Sequence, residues 1–109
     1  MHGLQLGRSS ARASIPPQAQ LDAIVAAGAN EFHVKEEFIR SPRKGWQKYA
    51  RRVVVAIARE RGIPDSVISM YFDMKPDHVA QASKYVVGII AKDEKLKQSM
   101  RTIRAKARI

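Results

Sequence analysis

Between Gly62 and His78 one glycine and two prolines punctuate the chain so closely that few backbone paths remain. Gly62 supplies the left-handed cap that ends a helix. Pro64 has the fixed φ that suits a helix start, and Asp65 puts an anion in the first turn, where the helix dipole favours it. Asp73-Met74-Lys75 then reads as a turn, and Pro76 opens another helix with Asp77 and His78 at its beginning. The spacing predicts a short helix, a tight turn and a longer helix to about Ala91. Val79, Ala82, Val86, and Ile89 or Ile90, form the buried side of that longer helix. His78, Gln81, Lys84 and Tyr85 point away.

The rest of the chain also reads as helix. Val and Ile cluster, but nowhere alternate with polar residues over strand length. Pro16-Pro17 closes an N-terminal tail, expected over residues 1–16, and suits a helix start, with Leu21, Ile24, Val25 and Gly28 along one face. That helix fades near Asn30. A short one follows from Lys35 to Arg40, with Phe38 and Ile39 turned inward. Ser41 to Gly45 is a loop, because proline disfavours helix before it. A long helix then runs from about Trp46 to Arg61. Tyr49, Ala50, Val53, Val54, Ile57 and Ala58 form its buried stripe, and Lys48, Arg51, Arg52 and Arg59 lie elsewhere on its surface. Trp46 and Tyr49, at helical spacing, are expected in the core, with stacking on bases as the alternative. Asp93-Glu94 starts a last helix, with Leu96, Met100, Ile103 and Ala107 facing inward. The same stripe, flanked by Lys92, Lys95, Lys97, Arg101 and Arg104, also fits a membrane-surface helix, but packing against the domain is expected. With 109 residues, 45% of them hydrophobic, the chain has room for one all-α domain over residues 17–109.

Charge narrows the partners. The net charge is +10, and a chain this basic is drawn to polyanions, of which nucleic acid is the commonest and an anionic membrane the competitor. The cations are local: Arg40, Arg43, Lys44, Lys48, Arg51, Arg52, Arg59 and Arg61 stand against the single acid Glu60. No apolar run is long enough to span a bilayer, and Met1 to Ser14 lacks the apolar core of a secretory signal. The Arg- and Ser-containing start resembles a transit peptide only superficially, and a loose tail is the expectation. Cysteine is absent, which excludes disulfides and thiolate metal sites. No nucleophile elbow surrounds any serine, and His2, His33 and His78 lack metal-ligand spacing, so neither an enzyme nor a cofactor is expected.

From Leu21 to about Ile103 the sequence resembles the C-terminal DNA-binding domain (domain IV) of the bacterial chromosomal replication initiator DnaA. The aliphatic-rich helix Ile24 to Phe32 matches that domain's order of elements, followed by a short helix and a basic loop. Ala50-Arg51-Arg52-Val53-Val54-Val55-Ala56-Ile57-Ala58-Arg59-Glu60 is similar to the family's long helix, "aR…va.yl.re". Asp65 to Phe72 is similar to its "s..eIg..F" helix, and Lys75-Pro76-Asp77-His78-Val79-Ala80-Gln81-Ala82 echoes its signature "grDHtTVlhA". The resemblance implies a compact bundle of about six helices containing a helix-turn-helix of the Trp-repressor-like type. It implies that Arg43 or Lys44, in the basic loop, enters the minor groove, and that Asp77 and His78 read base edges in the major groove, with Lys75 nearby. The family's two threonines are Val79 and Ala80 here, so one base contact becomes at most a methyl–methyl contact with thymine. The ATPase module of the full initiator, with its G-x-x-x-x-G-K-[ST] loop, has no counterpart.

The expectation is therefore a sequence-specific binder of double-stranded DNA that regulates replication initiation or transcription without ATPase activity. Base readout falls to Lys75, Asp77, His78, Val79 and Gln81, and phosphate or minor-groove contact to Arg43, Lys44, Lys48, Arg51, Arg52 and Lys84. A monomer on DNA, in the cytoplasm and associated with the nucleoid, is expected, with no membrane partner. Plainer roles remain open for single residues: His78 as a solvated side chain, Asp77 as a helix-dipole anion, and Arg43 and Lys44 as a solvated charge run. The alternative function is a protein-interaction module of the same fold that binds the initiator or the transcription machinery.

Overall fold

A computed structural model describes residues 15–108. Over these the chain forms six helices: α1 (Pro17–Phe32), α2 (Glu36–Arg40), α3 (Gly45–Glu60), α4 (Asp65–Phe72), α5 (Pro76–Ile90) and α6 (Glu94–Lys106). Among the described residues there is no strand, and no helix is long and apolar enough to cross a membrane. The protein is an all-α bundle, as the periodicity predicts. Of the expected tail, residues 1–14 lie outside the described residues, as does Ile109.

The helix ends explain where sequence boundaries hold and where they slip. α1, α3 and α4 terminate in the same way. A left-handed residue follows the helix, at His33 (φ 55°), Gly62 (φ 85°) and Asp73 (φ 52°). The amide after it reaches back five residues, in Val34 N to Ala29 O at 3.0 Å, Ile63 N to Ala58 O at 3.3 Å and Met74 N to Ser69 O at 2.9 Å. Only Gly62 advertises this in its residue type. His and Asp tolerate the conformation without being diagnostic of it, which is why α1 runs to Phe32 and not merely to Asn30. At the start of α6, by contrast, the Asp93 carboxylate accepts from Leu96 N at 3.0 Å, a side-chain cap legible in the sequence.

α3 is the axis of the bundle and packs against each of the other five helices. Consequently its second half is not amphipathic: Val53 through Ala58 are all buried, including Val55 and Ala56, which a single stripe does not require. α1 approaches so closely that a Cβ on Gly28 would stand 2.6 Å from Val54 Cγ2, so the crossing depends on that glycine. α6 buries Leu96, Met100, Ile103 and Ala107 against the domain, which removes the apolar face a membrane-surface helix needs. One core expectation fails. Trp46 is 50% exposed, because it sits in the first turn of α3, before the helix enters the bundle. Tyr49, one turn on, is half-buried and meets Phe32 edge to face, with ring centroids 6.0 Å apart.

Candidate nucleic-acid interface

α3 and α5 pack side by side, and the exposed edges of the two helices leave a cleft of about 360 Å³ between them. Lys48, Arg51, Arg52 and Val55 line it from α3, His78, Gln81, Ala82 and Tyr85 from α5, and Met74 closes it from the turn. Five of the residues singled out from the sequence thus meet in one place: Lys48, Arg51, Arg52, His78 and Gln81. The floor is apolar and the rim cationic.

Tyr85 was not among the expected site residues, although its position seven residues after His78 puts both on one face of the helix. Its ring, 43% exposed, lies beneath the Arg52 guanidinium, 4.4 Å from the ring centroid. The cation is thereby held over the cleft without a carboxylate to neutralise it. Arg51 is half-buried. Its Nη1 donates to the carbonyls of Arg40 and Phe72, at 3.4 Å each. Burial pulls its pKa down from the usual guanidinium value, and the neighbouring charge of Arg52 adds to the effect.

The remaining expected residues lie around this cleft. Arg43 and Lys44 are exposed, but their backbone is fixed: Gln47 Oε1 accepts from Arg43 N at 2.8 Å and from Lys44 N at 3.0 Å. Gln47, buried beneath the loop, was missed by hydrophobic periodicity, which gives a polar residue in the first turn no inward role. Its place three residues after the N-cap is the available signal. Lys75 is the N-cap of α5, and Asp77 lies in its first turn; both are exposed. Asp77 and Lys84 stand a quarter turn or more around α5 from His78, at 3.6 residues per turn.

Val79 requires correction. It is fully buried in the core, so its methyl groups face α3 and the bundle interior and cannot touch a base. Placing it where the family has a threonine implied readout, whereas the apolar spacing of Val79, Ala82 and Val86 implied burial, and burial prevails.

Charge pairing separates these cations from the others. The ion pairs among the described residues join Arg40 to Asp22 and Glu36, Arg59 to Asp65, Lys97 to Glu94 and Arg104 to Glu60. None includes a cation of the cleft or of the Arg43–Lys44 loop. The basic block from Arg40 to Arg61 is therefore two populations, one neutralised in place and one not. Apart from Arg61, the uncompensated cations lie in the loop before α3 and along its first half, where the helix has no acidic residue in its first turn and a lysine at the N-cap. Lys44 and Lys48, at the N-cap and in the first turn, oppose the positive end of the helix dipole.

No protein-family profile matches this sequence, and no curated protein matches it significantly.

Proposed function

We propose that this chain binds double-stranded DNA through a helix-turn-helix made by α4 and α5, in the manner of the DnaA C-terminal domain that its sequence resembles. The single observation that carries the reading is the cleft between α3 and α5, whose cations lack carboxylate partners and face the exposed polar edge of α5. Three residues, Asp73 to Lys75, join α4 to α5, the connection length of such a motif. With the N-terminal part of α5 in a major groove about 12 Å wide, His78 and Gln81 face base edges, and the imidazole and amide groups match their donors and acceptors. Lys48 and Arg52 face one flanking strand, and Arg43 and Lys44 the adjacent minor groove. On this reading the DNA is occupied and not altered. The consequence is regulation, of replication initiation or of transcription, by occupancy or recruitment.

Selection of bound duplexes from a random pool at near-physiological salt tests this. Enrichment of a common sequence is expected, and a pool that stays random would remove sequence-specific binding. A second reading draws on Met70 and Val87, which are 82% and 64% exposed on α4 and α5 and line no part of the cleft. In that reading the groove beside Met70, or the separate one beside Val87, docks the initiator or the transcription machinery. A stable protein complex without any duplex preference would favour it.

A further inference from the structure

We infer that Arg51 is a positioning residue: it ties the end of α2 to the end of α4 and so sets where α5 begins, serving duplex selectivity instead of phosphate contact. The functional half of this inference rests on the duplex-binding reading; the structural half rests on geometry alone.

Arg40 and Phe72 are the last residues of α2 and α4. Carbonyls at a helix C-terminus have no partner within the helix and carry its partial negative charge. A single nitrogen, Arg51 Nη1, donates to both of these carbonyls, at 3.4 Å each. One guanidinium on the central helix thus answers two helix ends that converge from separate parts of the chain. Lys48 and Arg52 line the same cleft but donate to no protein oxygen among the described residues, and their cations are left for a partner.

The Phe72 carbonyl is close to the machinery it would control. Asp73 follows it in the left-handed conformation, Met74 N closes the turn on Ser69 O, and Lys75 caps α5. Asp77 and His78 come directly after. A shift at Phe72 therefore reaches the start of α5 through a turn of three residues, and a displacement of about 1 Å is enough to spoil a base contact that requires hydrogen-bond geometry. Burial opposes the charge on Arg51, yet a guanidinium remains ionised even when its pKa is lowered. Deleting it would leave two carbonyls without their donor, which is costlier than never having built the pair.

The test compares Arg51→Met, Arg51→Lys and Lys48→Met by three readouts: the salt dependence of duplex binding, the ratio of affinities for selected and random duplex, and amide hydrogen exchange in the free protein. Arg51→Met is expected to keep the salt slope, to lower the affinity ratio about tenfold, as for one lost base contact, and to speed exchange at Val79 and Ala80 relative to α6. Arg51→Lys keeps the charge, but its ammonium stands one bond short of the Nη1 position, so it should keep the slope and recover only part of the ratio. Lys48→Met should do the reverse, reducing the slope by about 0.9, the value for one phosphate, and leaving the ratio and the exchange unchanged. If Arg51→Met behaves like Lys48→Met, Arg51 is a phosphate contact and the inference is overturned. If the wild-type protein binds no duplex, the DNA reading fails, and exchange alone decides: unchanged protection at Val79 and Ala80 overturns the positioning role too. Should Arg51→Met not fold, Arg51→Gln, which also removes the charge, carries the same decision: a slope reduced by about 0.9 with unaltered ratio and exchange overturns the proposal.

Discussion

The two ends of α3 carry the same kind of side chain under opposite rules. At the C-terminal end Arg59 pairs with Asp65 at 2.9 Å, Glu60 holds Arg104, and Arg61 reaches the Arg104 carbonyl. Arg59 there complements the helix dipole and is matched by an acid, as stability alone would choose. At the N-terminal end Lys44 and Lys48 oppose the dipole and, like Arg52 a turn further on, are in no ion pair among the described residues. Eleven residues, about 16 Å of helix, separate Lys48 from Arg59. A local rule obeyed at one end and broken at the other is the ground on which the broken end is proposed as the functional one.

The largest expected effect separates these ends directly. Changing Lys48 and Arg52 together to alanine should weaken duplex binding by at least about 2 kcal/mol, the size of a hydrogen bond to a charged group, with little change in thermal stability. Changing Arg104 to alanine should leave duplex affinity within about threefold, because exposed ion pairs contribute little and this one faces away from the cleft. Fluorescence anisotropy on a labelled duplex and a melting curve measure both. Next in size is His78→Ala, which should narrow the gap between selected and random duplex by about 1–3 kcal/mol; an unchanged gap would remove its reading role.

Lys44→Asp sharpens the contrast because its two effects have opposite signs. A carboxylate at the N-cap should stabilise the fold by about 1 kcal/mol while weakening duplex binding. A mutant that gained stability and lost no affinity would mean that Lys44 is only a solvated cation. Tyr85→Leu removes the ring beneath Arg52 and should weaken binding by about 0.5–1 kcal/mol, with Tyr85→Phe retaining most of it.

The smallest effect lies at alkaline pH, away from both ends. The Tyr71 phenol is pushed above its ordinary value near 10 by burial and by its hydrogen bond to Asp22, partly offset by Arg40. The folded state therefore holds this proton more tightly than the unfolded one, so its contribution is complete below pH 10 and is lost as pH rises through the folded value. Tyr71→Phe should reduce the fall in stability seen above pH 10 in denaturant titrations. Tyr49, also raised by burial, keeps the fall from vanishing.

What the sequence discloses depends on whether a residue acts within its own helix. Proline starts, the Gly62 cap, the Asp93 cap and the inward stripe of α6 are local, and all are found where the residues imply them. The exposed edge of α5, with His78, Gln81, Lys84 and Tyr85, is equally legible. Effects that depend on neighbours are not. The all-round burial of Val53 to Ala58 arises because other helices surround α3. The exposure of Trp46 arises because the first turn of α3 precedes them. The hold of Gln47 on the basic loop, the bonds from Arg51 to two helix ends and the seat of Arg52 on Tyr85 need the tertiary fold before any of them exists. The split of the basic block likewise depends on acids brought from Asp22, Asp65 and, across the bundle, the pairing of Glu60 with Arg104.

Titrating the isotopically labelled protein with its selected duplex, and following backbone and side-chain resonances at near-physiological salt, tests the central claim most directly. The largest shifts should fall on Lys48, Arg52, His78, Gln81 and Tyr85, with Arg59 and Arg104 unmoved. Shifts centred on the Arg59–Arg104 end, or spread evenly over all cations, would contradict a duplex seated in the cleft between α3 and α5.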